Sequence, residues 1–280
     1  MATTTRDQKY EAFRALHARP GIFVIPNPWN AGSARILTAL GFEALATTSA
    51  GYAFSVGRGD FSADLTRDGI LANAREIVDA THLPVSADMQ DGFGWSPEAC
   101  AETVRLAAGA GLAGGSIEDA TGDDKDPIYE FTLSVERVAA AAKAAREYRL
   151  VLTARAENFL HGRADLADTI KRLRAFADAG ADVLFAPGLP DLDAIREVCA
   201  AVAPKPVNAL MGLKGATYTV EELAAVGVKR ISVGGSLARV ALRALERAAR
   251  EIKDHGTFTY ATDAIPHTEV NAYMVKGKRE

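Results

Sequence analysis

Eight short apolar runs, each followed by a longer stretch of helical periodicity, restrict this 280-residue chain to very few folds. The runs are Ile22–Pro26, Ala44–Thr48, Pro84–Asp88, Gly115–Glu118, Leu150–Ala154, Asp182–Ala186, Pro206–Ala209 and Arg230–Val233. They are apolar on successive residues, as strands are when both faces are covered. Between them the period changes. Leu166, Ile170, Leu173 and Phe176 form one helical stripe, and Leu192, Ile195, Val198, Cys199 and Val202 form a second. Leu237, Val240, Ala241, Ala244, Leu245, Ala248 and Ile252 form a third, and each stripe is expected to dock on a sheet. Gly41, Gly111, Gly180 and Gly227 fall between helix and strand, where a left-handed cap belongs. Eight strand–helix units close an α/β fold of the (β/α)8 TIM-barrel type, with 1–280 as a single domain. An open doubly wound sheet is the alternative. Residues 1–20 would supply a helix beneath the barrel. The tail 255–280 lacks clear periodicity and would wrap a neighbouring subunit or stay loosely attached.

A formal charge of -4 excludes the basic face that nucleic-acid binding requires, and 7% aromatic residues leave no stacking platform. No apolar run is long enough to span a bilayer. The start, Met-Ala-Thr-Thr-Thr-Arg-Asp-Gln-Lys, has no apolar core of a signal peptide. The two cysteines, Cys100 and Cys199, fall in helical patterns and form no disulfide framework, which points to a reducing cytoplasm.

Charged residues cluster where strands run out. Asp88 closes the third run, Glu118 and Asp119 the fourth, and Arg155 the fifth. In a parallel barrel those ends converge on one mouth. Two carboxylates there suit a hard divalent cation such as Mg²⁺, which needs few protein ligands because it keeps several waters; Asp60 would join from further out. Arg155 suits a carboxylate or enolate oxygen. The plainer readings are helix caps for the acids and an ion pair of Arg155 with Glu157 or Glu118. Thr47-Thr-Ser-Ala-Gly51 would present backbone N–H groups to a carboxylate or be an ordinary turn. Val233-Gly-Gly-Ser236 would bind phosphate or merely cap the last helix. Gly109-Ala-Gly-Leu-Ala-Gly114 spells a dinucleotide fingerprint but ends a helix and opens a strand, the reverse of a phosphate cradle. The five histidines do not cluster at strand ends.

Taken together, Asp88-Met-Gln-Asp-Gly-Phe-Gly94, Ser116-Ile-Glu-Asp119, Thr153-Ala-Arg-Ala-Glu157 and Thr47–Gly51 resemble the isocitrate lyase/phosphoenolpyruvate mutase superfamily, from about residue 20 to 250. The resemblance implies an enzyme dependent on Mg²⁺, with Mn²⁺ as a substitute, acting on a small anionic 2-oxo or 2-hydroxy carboxylate. It would make or break a C–C or P–C bond through an enolate-like species. It implies Asp88, Glu118 and Asp60 at the metal, Arg155 and Glu118 in catalysis, and Thr48, Ser49, Gly51 and Arg155 around the substrate. It also implies a homo-oligomer, dimer or tetramer, in which the last helix swaps between subunits.

Two departures shape the expectation. Gln90 stands where the superfamily commonly has a second Asp, which lowers the negative charge near the metal. The loop after Glu118 reads Ala-Thr-Gly-Asp-Asp-Lys-Asp-Pro-Ile-Tyr, without the Cys that lyases carry there. Lys125, Asp124 or Tyr129 would then supply the acid or base. The readings left open are a C–C lyase or decarboxylase, a P–C bond mutase or hydrolase, and a barrel that binds carboxylates without turnover.

Overall fold

The structure is a computed structural model whose described residues are 4–60, 64–213 and 217–276. The chain's first three residues and the last four of the tail lie outside them. Eight parallel strands form the sheet: β1 (Phe23–Ile25), β2 (Leu45–Ala46), β3 (Val85–Asp88), β4 (Gly114–Glu118), β5 (Val151–Arg155), β6 (Val183–Phe185), β7 (Val207–Leu210) and β8 (Arg230–Ser232). From β2 to β8 each pairs with its neighbour in sequence, and β1 pairs with β8. Between β1 and β2 the seam is a single backbone bond, from the Ala46 N–H to the Pro26 carbonyl at 3.1 Å. The result is a nearly closed (β/α)8 barrel.

The helices are α1 (Arg6–Ala18), α2 (Ala31–Ala39), α3 (Ser49–Ser55), α4 (Arg67–Ala80), α5 (Pro97–Gly109), α6 (Phe131–Glu147), α7 (Leu166–Asp178), α8 (Leu192–Val202), α9 (Val220–Ala225), α10 (Ser236–His255) and α11 (His267–Lys276). Two of the sequence stripes dock as expected: Leu173 and Phe176 of α7, and Ile195, Val198 and Val202 of α8, lie in one buried cluster with β5–β8 residues. The third does not. On α10, Val240 and Leu245 are about two-thirds exposed (67% and 66%), and only Ala238 is buried. Periodicity identified an amphipathic helix correctly but not what its apolar face meets.

At the bottom, α1 plugs the barrel. Phe13 is fully buried with Phe23, Val151 and Val183. It fits because β4 begins with glycine: a Cβ on Gly114 would stand 2.5 Å from the Phe13 ring. The tail is more ordered than its sequence suggested. After a 3-10 turn at Thr259–Asp263, α11 packs on α2, where the Arg35 guanidinium donates to the Met274 carbonyl.

Candidate active site

Strand register brings the charged strand ends together. β3 pairs Asp88 with Ser116, and β4 pairs Glu118 with Arg155. Side chains two residues apart on a strand share a face, so Thr153 and Arg155, Ser116 and Glu118, and Ser86 and Asp88 all project into the barrel. Of these, Ser86, Asp88, Ser116, Glu118 and Arg155 line a cavity of about 400 Å³ at the C-terminal end of the strands.

Arg155 is the hub. Its Nη1 lies 3.1 Å from Asp88 Oδ1 and 3.1 Å from Glu118 Oε2, and its Nε donates to Glu157 Oε1 at 2.7 Å. Its guanidinium also lies over the Phe185 ring, 5.1 Å from the centroid. The ion-pair reading of Arg155 is therefore correct, and it coexists with a place in the cavity wall. The capping reading of the acids is not. The caps of the following helices are Ser96, Glu130 and Asp165, so neither Asp88 nor Glu118 caps the helix after its strand.

Burial tunes these charges in opposite directions. Glu118 is pushed well above the usual carboxylate range by burial; Arg155 opposes this, while Glu157 and Asp88 add to it. Burial works against the charge on Arg155, but Glu118, Glu157 and Asp88 outweigh it and hold the guanidinium protonated. Asp119 faces away from the cavity. It accepts the Glu157 N–H at 2.8 Å and pairs with Arg172 at 3.2 Å, anchoring the β5 loop to α7.

The donor set fits a hard cation. Glu118 Oε1 is buried without a hydrogen-bond partner among the described residues, a costly state for a carboxylate oxygen and one a cation would relieve. No three acidic, histidine or cysteine side chains converge closely enough among the described residues to hold a metal alone. Two carboxylates plus waters is the mode available, and it is a mode Mg²⁺ accepts. Asp60 lines the same cavity but is exposed, 3.5 Å from Ser49 Oγ. Gln90 is buried with its Nε2 unpartnered among the described residues, and it adopts φ +47, a region that β-carbon-bearing residues seldom occupy.

Thr47–Gly51 is not the ordinary turn of the plainer reading but leads into α3, capped by Thr48, whose Oγ1 accepts the Gly51 N–H at 3.2 Å. The Ser49 N–H donates to Asp88 Oδ2 at 3.0 Å. Thr48 and Ser49 line the cavity; Gly51 sits behind them, where a Cβ would stand 2.9 Å from the Trp29 side chain. After β8, the N–H groups of Val233 and Gly234 both donate to Asn27 Oδ1 at 2.9 Å, and Gly235 rather than Ser236 occupies the cap.

Lys125 and Asp124 are exposed on the β4 loop and do not line the cavity. Tyr129 is buried, and its hydroxyl donates to Asp91 Oδ2 at 2.8 Å. Burial and Asp91 push that phenol far above its ordinary range, so it is poorly suited to give up its proton. Sequence reading did not single out His161, Asn208 and Arg230, which also line the cavity. The latent signal was polarity inside a buried strand, as at Asn208 in Val-Asn-Ala-Leu.

Comparison with known proteins converges on one group. The sequence profile described as Phosphoenolpyruvate phosphomutase matches residues 13–253. A lyase/mutase candidate from Burkholderia cenocepacia J2315 is 57% identical, with a TM-score of 0.92 over 96% of each chain. The 2-methylisocitrate lyase of Salmonella typhimurium LT2 is 31% identical across 96% of this chain and 94% of its own. An oxaloacetate acetylhydrolase, solved with its product oxalate, is 27% identical with a TM-score of 0.86, covering 95% of this chain and 93% of that one.

Proposed function

The chain belongs to the phosphoenolpyruvate phosphomutase family, within the isocitrate lyase/phosphoenolpyruvate mutase superfamily, and from that premise we propose that it is a divalent-cation-dependent lyase of a small 2-oxo or 2-hydroxy carboxylate. The observation that carries this reading is Arg155 shared between Asp88 and Glu118 in one cavity, with Glu118 Oε1 left unpartnered among the described residues.

Breaking a bond beside a carbonyl leaves an electron pair that must spread onto oxygen. Asp88 and Glu118 would hold Mg²⁺ or Mn²⁺ with waters, and Asp60 would act from further out. When bound, that cation supplies fixed positive charge opposite the developing negative oxygen. Arg155 supplies the second positive charge, pre-positioned by Glu157 so that it need not reorganise during reaction. Thr48 and Ser49 line the neighbouring wall for the substrate carboxylate, with Gly51 holding their backbone in place. Burial disfavours the charge on Glu118 and a cation held there would restore it, so Glu118 would act in catalysis through the cation it holds. Lys125 takes part only if the β4 loop moves toward the cavity.

The exposed apolar face of α10 supports a homo-oligomer in which this helix docks on a neighbour. Cys100 and Cys199 are buried and unlinked, which supports a cytoplasmic setting. Among the described residues no helix is long and apolar enough to cross a membrane.

The test is a nuclear magnetic resonance screen of 2-oxo and 2-hydroxy di- and tricarboxylates and phosphonopyruvate, with Mg²⁺ and with chelator. A lyase yields two smaller carbon acids from one substrate, only with the metal. Turnover of phosphonopyruvate alone would establish P–C chemistry instead, a reading favoured by a phosphonomutase candidate from Burkholderia cenocepacia J2315 at 35% identity.

A further inference from the structure

The cavity holds a second buried arginine. Arg230 opens β8, is 5% exposed, and lines the same space as Asp88 and Arg155. Its side chain crosses the barrel interior. Nη2 donates to Thr153 Oγ1 on β5 at 3.0 Å, and Nε to Asn208 Oδ1 on β7 at 2.8 Å. Nη1 lies 3.3 Å from His17 Nε2 on α1. Thr153 stands two residues before Arg155 on the same face, so the two arginines meet β5 about one pleat repeat apart, ~6–7 Å.

All three of these partners are neutral. His17 Nδ1 lies 2.8 Å from the Phe13 carbonyl, which places its proton there and leaves Nε2 to accept from Arg230. Burial, reinforced by the charge of Arg230, pushes His17 down to about 3, so the ring carries no charge at neutral pH. Burial alone lowers Arg230, to about 9, which leaves it protonated at neutral pH. Among the described residues, no carboxylate lies within 4.0 Å of its guanidinium. A buried charge supported only by neutral acceptors is expensive unless a counter-charge arrives. The space above it is open because Ala46, Ser86, Ser116 and Ser232, which line the cavity, are too short to fill a barrel interior.

We infer that Arg230, with its fork held by Thr153 and Asn208, is a second anion-recognition point. The substrate is then a short dicarboxylate: its reacting end sits at Asp88, Glu118 and Arg155, and its distal carboxylate reaches down to Arg230. This inference rests on the carboxylate reading of the mouth.

Titration calorimetry in Mg²⁺ compares malate with 2-hydroxybutyrate, in which a methyl group replaces the distal carboxylate. The wild type is expected to bind malate about tenfold more tightly or better, the worth of a buried charge-assisted hydrogen bond. Arg230→Met is expected to bring the two acids within about twofold of each other, and Arg230→Lys, which keeps the charge without the fork, to fall between. Circular dichroism melts establish folding. If Arg230→Met does not fold, Arg230→Lys and Thr153→Val replace it, each expected to cut the preference at least about threefold. A wild type without the preference, or a preference that survives unchanged in the folded variants, overturns the inference. Oxalate, too short to reach the floor, is titrated into the wild type in parallel. Its failure to bind sinks the reading of the mouth, whereas oxalate binding without a malate preference sinks only the role of Arg230.

Discussion

Arg155 and Arg230 line one cavity, yet the first is surrounded by carboxylates and the second by neutral acceptors. Around Arg155, Asp88, Glu118 and Glu157 outnumber the guanidinium they share, and the surplus negative charge there calls for a cation. At the floor, the surplus is positive and calls for an anion. The small residues between them keep the two ends in communication. A cavity of this polarity selects a ligand that brings its own metal-chelating end and a trailing negative charge. The shared strand β5 sets the spacing, since Thr153 contacts one arginine and the other is Arg155 itself.

The contrast can be broken most severely at the mouth. Arg155→Ala removes the charge opposite the developing oxyanion, and turnover is expected to fall about 10²–10³-fold, worth ~3–4 kcal/mol. Steady-state kinetics on the substrate identified by the screen measures it, and a near-normal rate would remove Arg155 from the chemistry. Removing the charge also leaves Asp88, Glu118 and Glu157 without their counter-ion, so the same variant is expected to melt earlier.

The floor can be probed through pH. The folded-state pKa of His17 is depressed to about 3 from 6.5, so its contribution to stability is present above pH 6.5 and is lost as pH falls toward 3. Between pH 7 and pH 5 the wild type is expected to lose about 2 kcal/mol of stability from this residue alone. His17→Asn keeps a polar partner for Arg230 without a titrating ring. Urea unfolding of both proteins at the two pH values should show the variant losing less by that amount, and parallel losses would mean the ring is not held neutral beside Arg230.

A smaller effect sharpens the mouth. Gln90→Asp restores a carboxylate next to Glu118, and Mg²⁺ affinity is expected to rise about tenfold, the lower end of what residues around a metal contribute. Calorimetry without substrate reads it directly. Unchanged affinity would mean that the Gln90 side chain lies outside the reach of the cation.

The eight strands were legible because strands covered on both faces are apolar without alternation, and this pattern rarely arises otherwise. Asp88, Glu118 and Arg155 were legible because a charge at the end of such a run has nowhere to go but the mouth. Arg230 was not, since it sits at the start of its run, after Lys229, where a charged residue reads as an ordinary strand entrance. Only the crossing of its side chain to Thr153 puts it in the cavity. The start of α3 was hidden for a different reason. Thr-Thr-Ser-Ala-Gly suits a turn as well as a capped helix, and the choice depends on Asp88 accepting the Ser49 N–H from another strand. The face of α10 was legible as amphipathic, but periodicity names no partner.

The central claim is that Asp88, Glu118 and Arg155 form one centre for a cation and the oxygens of an enolate-like ligand. Oxalate mimics those oxygens, so its binding with and without Mg²⁺ tests the claim most directly. Calorimetry should show oxalate bound in Mg²⁺, with binding lost in chelator and in Asp88→Ala. Oxalate bound equally well in chelator, or in Mg²⁺ by the folded Asp88→Ala protein, would contradict the account.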